Sequence, residues 1–291
     1  MLLAVDVGNT EITIGVFQGQ ELAQHWRAAT VAERTADEHA LLLDGFLGQE
    51  GLGLEDADGV VVSSVVPRLT QALREMVRRY CQVEPLMIEP GIRTGLPILT
   101  DNPREVGADR VVNAIAAYAA YGGPVVVVDF GTATTFDAVS ERGEHLGAAI
   151  APGIQISMNA LVERTAQLRR VELVEPRSVI GKNTVESLQA GAIWGFAGQV
   201  DGIVRRMVAE LGGTATVVAT GGLAGAVLAA CETVQHHEPW LTLHGLRIIW
   251  DRNTGGLEER SGGPPEGGGS GGLRERSGSP PEGGGREAGY G

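Results

Sequence analysis

The sequence predicts an α/β protein built from two duplicated domains with a cleft between them. Short β-rich runs alternate with segments of helical period as far as residue 253. The opening run Leu2-Leu-Ala-Val-Asp-Val-Gly-Asn-Thr10 then restarts as Val125-Val-Val-Val-Asp-Phe-Gly-Thr-Ala133. In both copies four apolar residues lead into Asp-x-Gly, followed by a second alternating strand. Asp-x-Gly turns are common, so coincidence is the alternative. The match of the strands on both sides favours duplication, with a boundary at 121–124.

Residues 2–7, 12–17 and 21–28 read as strands in close succession, the first two as an antiparallel hairpin around Gly8-Asn9-Thr10. Segment 35–48 reads as a helix, 59–63 as a buried strand and 68–80 as a second helix. The Ala-rich stretch 109–121 has apolar residues at 111, 112, 115 and 118 and stops at Gly122-Gly123. Strands follow at 125–129 and 134–140, a long helical stretch at 187–211, and a strand at 216–219. The expected domains are 1–122 and 123–253. From Thr254 the composition changes: 15 of the last 38 residues are Gly, and a 16-residue pattern beginning at Leu257 recurs at Leu273. So few apolar groups cannot offset a backbone ordering entropy of roughly 1–2 kcal/mol per residue, and 254–291 is expected to be a disordered tail.

The formal charge of −13 argues against broad contact with nucleic acid or anionic membranes. Local cations or backbone N–H groups can still receive an anionic substrate. Two cysteines, Cys81 and Cys231, make neither a disulfide framework nor a metal cluster and read as inert thiols. The first residues are apolar but meet Asp6 at once, too soon for a signal core or a membrane span. A cytoplasmic location is expected.

Chemistry concentrates at the turns. Gly8 removes the Cβ that would keep an anion away, and Asn9 and Thr10 add donors. Asp6 repels phosphate directly, so its functional role would be to hold Mg²⁺ against phosphates; a structural turn is its alternative. Gly181-Lys-Asn-Thr184 resembles the end of a P-loop, but Pro176 stands where the first Gly belongs. Asp109 reads either as a proton acceptor or as a helix N-cap, and Arg110 as an anion contact or a surface ion pair. Asp129, followed by Gly-Thr-Ala-Thr-Thr135, reads as a cation ligand or a turn carboxylate. The Thr220-Gly-Gly-Leu223 segment borders a nucleotide base or starts a helix. His236-His237-Glu238 reads as a solvated loop without a metal, and Trp194 and Phe196 as core or dimer contacts.

Four ordered motifs, Asp6-Val-Gly-Asn-Thr10, Asn102-Pro-Arg-Glu-Val-Gly-Ala-Asp-Arg110, Asp129-Phe-Gly-Thr-Ala-Thr-Thr135 and Gly181-Lys-Asn-Thr184, span the chain ahead of the tail. Together they resemble the type III pantothenate kinases, whose domains are ribonuclease-H-like and of the sugar-kinase/actin type with an interdomain cleft. The resemblance implies ATP-dependent phosphorylation of pantothenate to 4'-phosphopantothenate, the first step of coenzyme A biosynthesis, in a homodimer using Mg²⁺ with ATP and K⁺ or NH₄⁺. It implies ATP contacts at Asp6, Val7, Gly8, Asn9, Thr10, Glu11, Ile12, Thr13 and Thr132. It implies substrate contacts at Gly107, Ala108, Asp109, Arg110 and Thr184, with Asp109 as proton acceptor and Asp129 as the monovalent-cation ligand. Two positions depart from the pattern: Thr100 stands where the motif often has Tyr, and Glu11 puts a negative charge beside the first turn. A non-catalytic accessory protein is the alternative, disfavoured because a mere binder has no need of the proton acceptor.

Overall fold

The computed structural model describes residues 1–255. The sequence expectation for the tail lies outside them from residue 256 onward.

The first sheet begins with β1 (Leu2–Val7), β2 (Glu11–Gln18) and β3 (Glu21–Ala29). Gly8 N donates to the Glu11 carbonyl at 3.0 Å and closes the expected hairpin. Next comes α1 (Ala36–Gly48), capped by Thr35, whose hydroxyl accepts from Glu38 N while the Glu38 carboxylate accepts from Thr35 N. Then follow β4 (Gly59–Ser64), α2 (Pro67–Met76) and β5 (Leu86–Met87). A wider turn over Val77–Cys81 continues α2, so the expected helix 68–80 is not α-helical throughout.

α3 (Ala108–Tyr121) leads to the second sheet. Gly122, at φ +71°, ends the helix as the Gly pair suggests. β6 (Val125–Phe130), β7 (Ala133–Val139) and β8 (His145–Pro152) repeat the opening meander. They are followed by α4 (Ile154–Glu163), α5 (Thr184–Glu210), β9 (Thr216–Thr220), α6 (Ala224–Val227), β10 (His236–His237) and α7 (Leu241–Thr254).

The strand orders are β3-β2-β1-β4-β5 and β10-β9-β6-β7-β8, the same order when the second is read from its other edge. The register repeats too. In the first sheet Ser63, Asp6, Thr13 and Arg27 are successive partners across β4, β1, β2 and β3. In the second, Thr220, Asp129, Thr135 and Ile150 are successive partners across β9, β6, β7 and β8. Directly paired residues share a sheet face, so each row presents one Asp flanked by hydroxyl residues to the same side.

Alternation along the strands divides the core into layers. Val5, Val7, Ile12, Ile14 and Val62 point to α1 and α2. The other face of the first sheet, with Ala4, Phe17 and Val61, packs on α3 and α7. Those helices also bury Val125, Val127 and Val139 of the second sheet, so they form a layer between the two sheets. α5 and its neighbours cover the far face of the second sheet against Val126, Val128 and Phe136. Among the described residues no helix is long and apolar enough to cross a membrane.

The His236-His237 pair is exposed as expected but forms a short edge strand in place of a loop, pairing in parallel with Val218 and Ala219. The His236 ring stacks on Tyr121 at 4.4 Å. Among the described residues no three His, Cys, Asp or Glu side chains form a group suited to holding a metal ion by themselves. Burial pushes both thiols up to about 11, which suits the inert role expected of Cys81 and Cys231.

Candidate active site

Both Asp-x-Gly turns lie where their sheets meet the middle helices, and they touch. The Thr10 and Thr132 hydroxyl oxygens are 2.9 Å apart. Each turn closes on itself through its glycine N–H, Gly8 on the carbonyl three residues on, Glu11, and Gly131 on the carbonyl two residues on, Ala133, both at 3.0 Å. A Cβ at Gly8 would lie 3.1 Å from the Glu11 carbonyl, a reason for glycine in so tight a turn. Thr30 braces the first turn, its hydroxyl donating to the Gly8 carbonyl at 2.7 Å. Under the second turn, Gly153 at the start of α4 leaves no room for a side chain, since its Cβ would be 2.2 Å from the Thr132 carbonyl oxygen.

Three carboxylates share this region. Asp6 is pushed up to about 7 by burial, then by the charges of Asp109 and Asp129. Asp129 is likewise pushed up to about 7 by burial and by Asp109 and Asp137, against a hydrogen bond from Asn113. Asp109 is raised by burial and Asp137, while the Arg110 N–H and guanidinium pull the other way. Burial and mutual repulsion raise all three, and a bound cation would relieve that repulsion. Asp6 suits Mg²⁺ held jointly with phosphate oxygens and water, the usual arrangement for a nucleotide's magnesium.

α3 delivers the substrate segment. Gly107 is its N-cap and Ala108 its first residue, so Asp109 sits second and is not the N-cap considered from sequence. Its Oδ1 accepts the Arg110 N–H at 2.9 Å. The Arg110 guanidinium is engaged by the buried Asp137, with Nε–Oδ1 at 3.0 Å and Nη2–Oδ1 at 2.7 Å. Asp137 also faces His145 Nε2 at 2.8 Å, and His145 is fully buried. This buried ion pair uses the Nε and Nη2 edge of the guanidinium, and Arg110 also lines a cavity of about 350 Å³ with Thr100, Asn102, Glu105 and Ile150. Thr100 therefore lines this cavity, and among the described residues its buried hydroxyl has no hydrogen-bond partner.

Of the residues nominated for ATP, Gly8, Asn9, Thr10 and Thr132 form the touching turns, and Asp6 and Thr13 lie in one row. The Val7 and Ile12 side chains are buried toward α1 and α2, which leaves only their backbone for a ligand. Glu11 is exposed and lies 3.6 Å from Arg27. Thr184 stands apart as the exposed first residue of α5, behind its cap Asn183. The sequence reading missed Asn113, which donates to Asp129 at 3.0 Å and accepts from Thr242 at 2.7 Å. An Asn within the buried run 111–117 was the available signal. It missed Asp137 and His145 as well, which meet only through the pairing of β7 with β8.

Two sheets of one order, meeting at matched Asp-x-Gly turns over a carboxylate cluster, define a nucleotide-dependent phosphotransferase of the sugar-kinase/actin type. The family model for type III pantothenate kinase matches residues 2–206. The chain belongs to that family. It is 58% identical over 254 residues to the type III pantothenate kinase of Moorella thermoacetica, covering 87% of this chain and 100% of the relative. It is 56% identical over 258 residues to that of Thermobifida fusca, with 87% and 100% covered. The fold also resembles a putative Baf family transcriptional activator from Campylobacter jejuni at TM-score 0.55 and 20% identity, covering 87% of this chain and 99% of the other. It resembles the (R)-2-hydroxyglutaryl-CoA dehydratase component A of Acidaminococcus fermentans at TM-score 0.52 and 15% identity, covering 90% and 99%.

Proposed function

We infer that this chain transfers the terminal phosphoryl group of ATP to the primary hydroxyl of pantothenate, with Asp109 as the proton acceptor. The placement of Asp109 carries the reading: a desolvated carboxylate at the start of α3, in the same cluster as the two turn aspartates. A raised proton affinity suits a group that orients a hydroxyl and takes its proton late in the transfer. The turns at Gly8–Thr10 and Gly131–Thr132 supply N–H and hydroxyl donors to the phosphates, and Asp6 holds the divalent ion that accompanies ATP. That ion, when bound, neutralises phosphate charge. Arg110, fixed by Asp137, offers Nη1 to the carboxylate of pantothenate, with Gly107, Ala108 and Thr184 as further contacts.

Asp129 is the proposed K⁺ or NH₄⁺ ligand, since a large cation suits a carboxylate among hydroxyl and carbonyl oxygens. A homodimer is proposed on the exposed apolar side chains of Ile150, Ile156 and Trp194, at 65%, 48% and 37% exposure. The division into repeats 1–122 and 123–253 is proposed on the repeated strand order, with α7 returning to the first sheet. The proposed setting is the cytoplasm. The non-catalytic reading is disfavoured because Asp109, the proposed proton acceptor, is retained. An ADP-release assay over a panel of small alcohols and hydroxy acids tests the assignment. Turnover with pantothenate far above the rest is expected, and equal or absent turnover with pantothenate would sink it.

A further inference from the structure

The segments nominated for ATP contain no cation. Residues 6–13 and Thr132 include Asp6 and Glu11 but neither Lys nor Arg, and Lys182 is the chain's only lysine. Arg110 is already committed to Asp137. A triphosphate placed between the turns would meet carboxylates and no side-chain cation of those segments.

Among the described residues, the Arg27 guanidinium lies near this place. Arg27 closes the row that runs Ser63, Asp6, Thr13, Arg27, so it lies on the same sheet face as Asp6. The Trp240 ring carries its guanidinium carbon 4.8 Å from the ring centre, and His25 packs on that ring at 3.9 Å. This support restrains a side chain that otherwise samples many rotamers. The second sheet meets it from the opposite side. A Cβ at Gly222 would stand 3.3 Å from Arg27 Nη1, and one at neighbouring Gly221 would stand 2.5 Å from Asp129 Oδ1. Arg27 thus lies beside the first turn and against the segment that abuts the second.

Its present partner is weak. Arg27 Nη1 and Glu11 Oε2 are 3.6 Å apart, beyond hydrogen-bond length, and both side chains are about one-third or more exposed. Such a pair is readily exchanged for a better acceptor.

We propose that Arg27 is a nucleotide-binding residue, its guanidinium leaving Glu11 to bind the phosphates of ATP while Trp240 holds it in place. A planar fork of fixed donors matches phosphate oxygens and adds the positive charge that the turns lack. The exchange also removes Glu11 as an obstacle, since its carboxylate turns to solvent when the guanidinium departs. The proposal rests on ATP being the donor of this site.

The test titrates Arg27→Gln, Arg27→Lys and Glu11→Gln with Mg·ATP and with adenosine at equilibrium, and measures KM for ATP and for pantothenate. Arg27→Gln should weaken ATP binding about tenfold or more, the scale of a lost charged hydrogen bond. Adenosine binding and the pantothenate KM should stay within twofold of wild type, and Arg27→Lys should recover part of the ATP affinity. Glu11→Gln, which keeps Arg27, should bind ATP a few times more tightly and stands in if the Arg27 variants fail to fold. ATP affinity unchanged in Arg27→Gln, equal loss for adenosine and ATP, or no gain in Glu11→Gln would each overturn the proposal. Wild-type enzyme that binds Mg·ATP but fails to phosphorylate pantothenate would count against the reaction assigned above, not against Arg27.

Discussion

The hydroxyls of Thr10 and Thr132, 122 residues apart in sequence, meet at 2.9 Å and join the two Asp-x-Gly turns side chain to side chain. The bond is exposed, so its contribution to folding is small, but it sets the spacing of the donors. Thr10→Val and Thr132→Val should each raise KM for ATP about two- to tenfold, the value of one neutral hydrogen bond. The double variant should lose less than the product of the two, because both report on one contact. Steady-state kinetics on the four proteins decides it; strictly multiplicative losses would mean that the hydroxyls act independently.

Asp109→Asn separates chemistry from folding. Gly107 caps α3, so an amide at position 109 costs the helix little. Loss of a positioned base should lower kcat by about 10²–10⁴-fold. A folded Asn variant that retains more than about a third of wild-type kcat would remove the proton-acceptor role.

The raised values of Asp6 and Asp129 fix the direction of a pH effect. Both have an ordinary value of 3.8 and stand near 7 in the folded chain, so the folded state holds more protons between those limits. Their contribution to stability is therefore greatest below pH 3.8 and is lost as pH rises through about 7. In buffer free of nucleotide and divalent ions, Asp129→Asn should melt above wild type at pH 8, with the gap closing toward pH 4. Mg·ATP and K⁺ should narrow the gap at pH 8, since they relieve the same repulsion. A variant that melts below wild type at every pH would show that the Asn113 hydrogen bond outweighs the repulsion.

If Asp129 holds a monovalent cation, turnover in K⁺ or NH₄⁺ should exceed that in Na⁺ alone, and Asp129→Asn should blunt the difference. Equal rates for the wild type in all three salts, after removal of ammonium, would refute the assignment.

The Moorella relative is matched over 100% of its length by 87% of this chain. Gly255 N donates to the Asp251 carbonyl at 3.1 Å and completes α7. Ending the chain after Gly255 should leave melting temperature and pantothenate turnover unchanged. A fall of several degrees would assign the removed segment a structural role.

The two turns, the first hairpin and α3 were legible because they are local. An apolar run, an Asp-x-Gly turn and a Gly pair are each read within about a dozen residues. Asp137 and His145 gave no such signal, since their meeting depends on strand pairing and on Arg110 arriving from α3. Arg27 was hidden for the same reason: nothing in His25-Trp-Arg27 announces Trp240 or Gly222. α7 was missed although Leu243, Leu246, Ile249 and Trp250 have helical spacing. Its function as cover for a distant sheet is set by tertiary packing.

The middle layer has a mechanical meaning. Gly245 of α7 approaches α3 so closely that a Cβ there would lie 2.2 Å from the Val112 carbonyl oxygen. Any side chain at position 245 would push α7 off α3, and because both sheets rest on these two helices, that one displacement would disturb the packing beneath both aspartate turns at once.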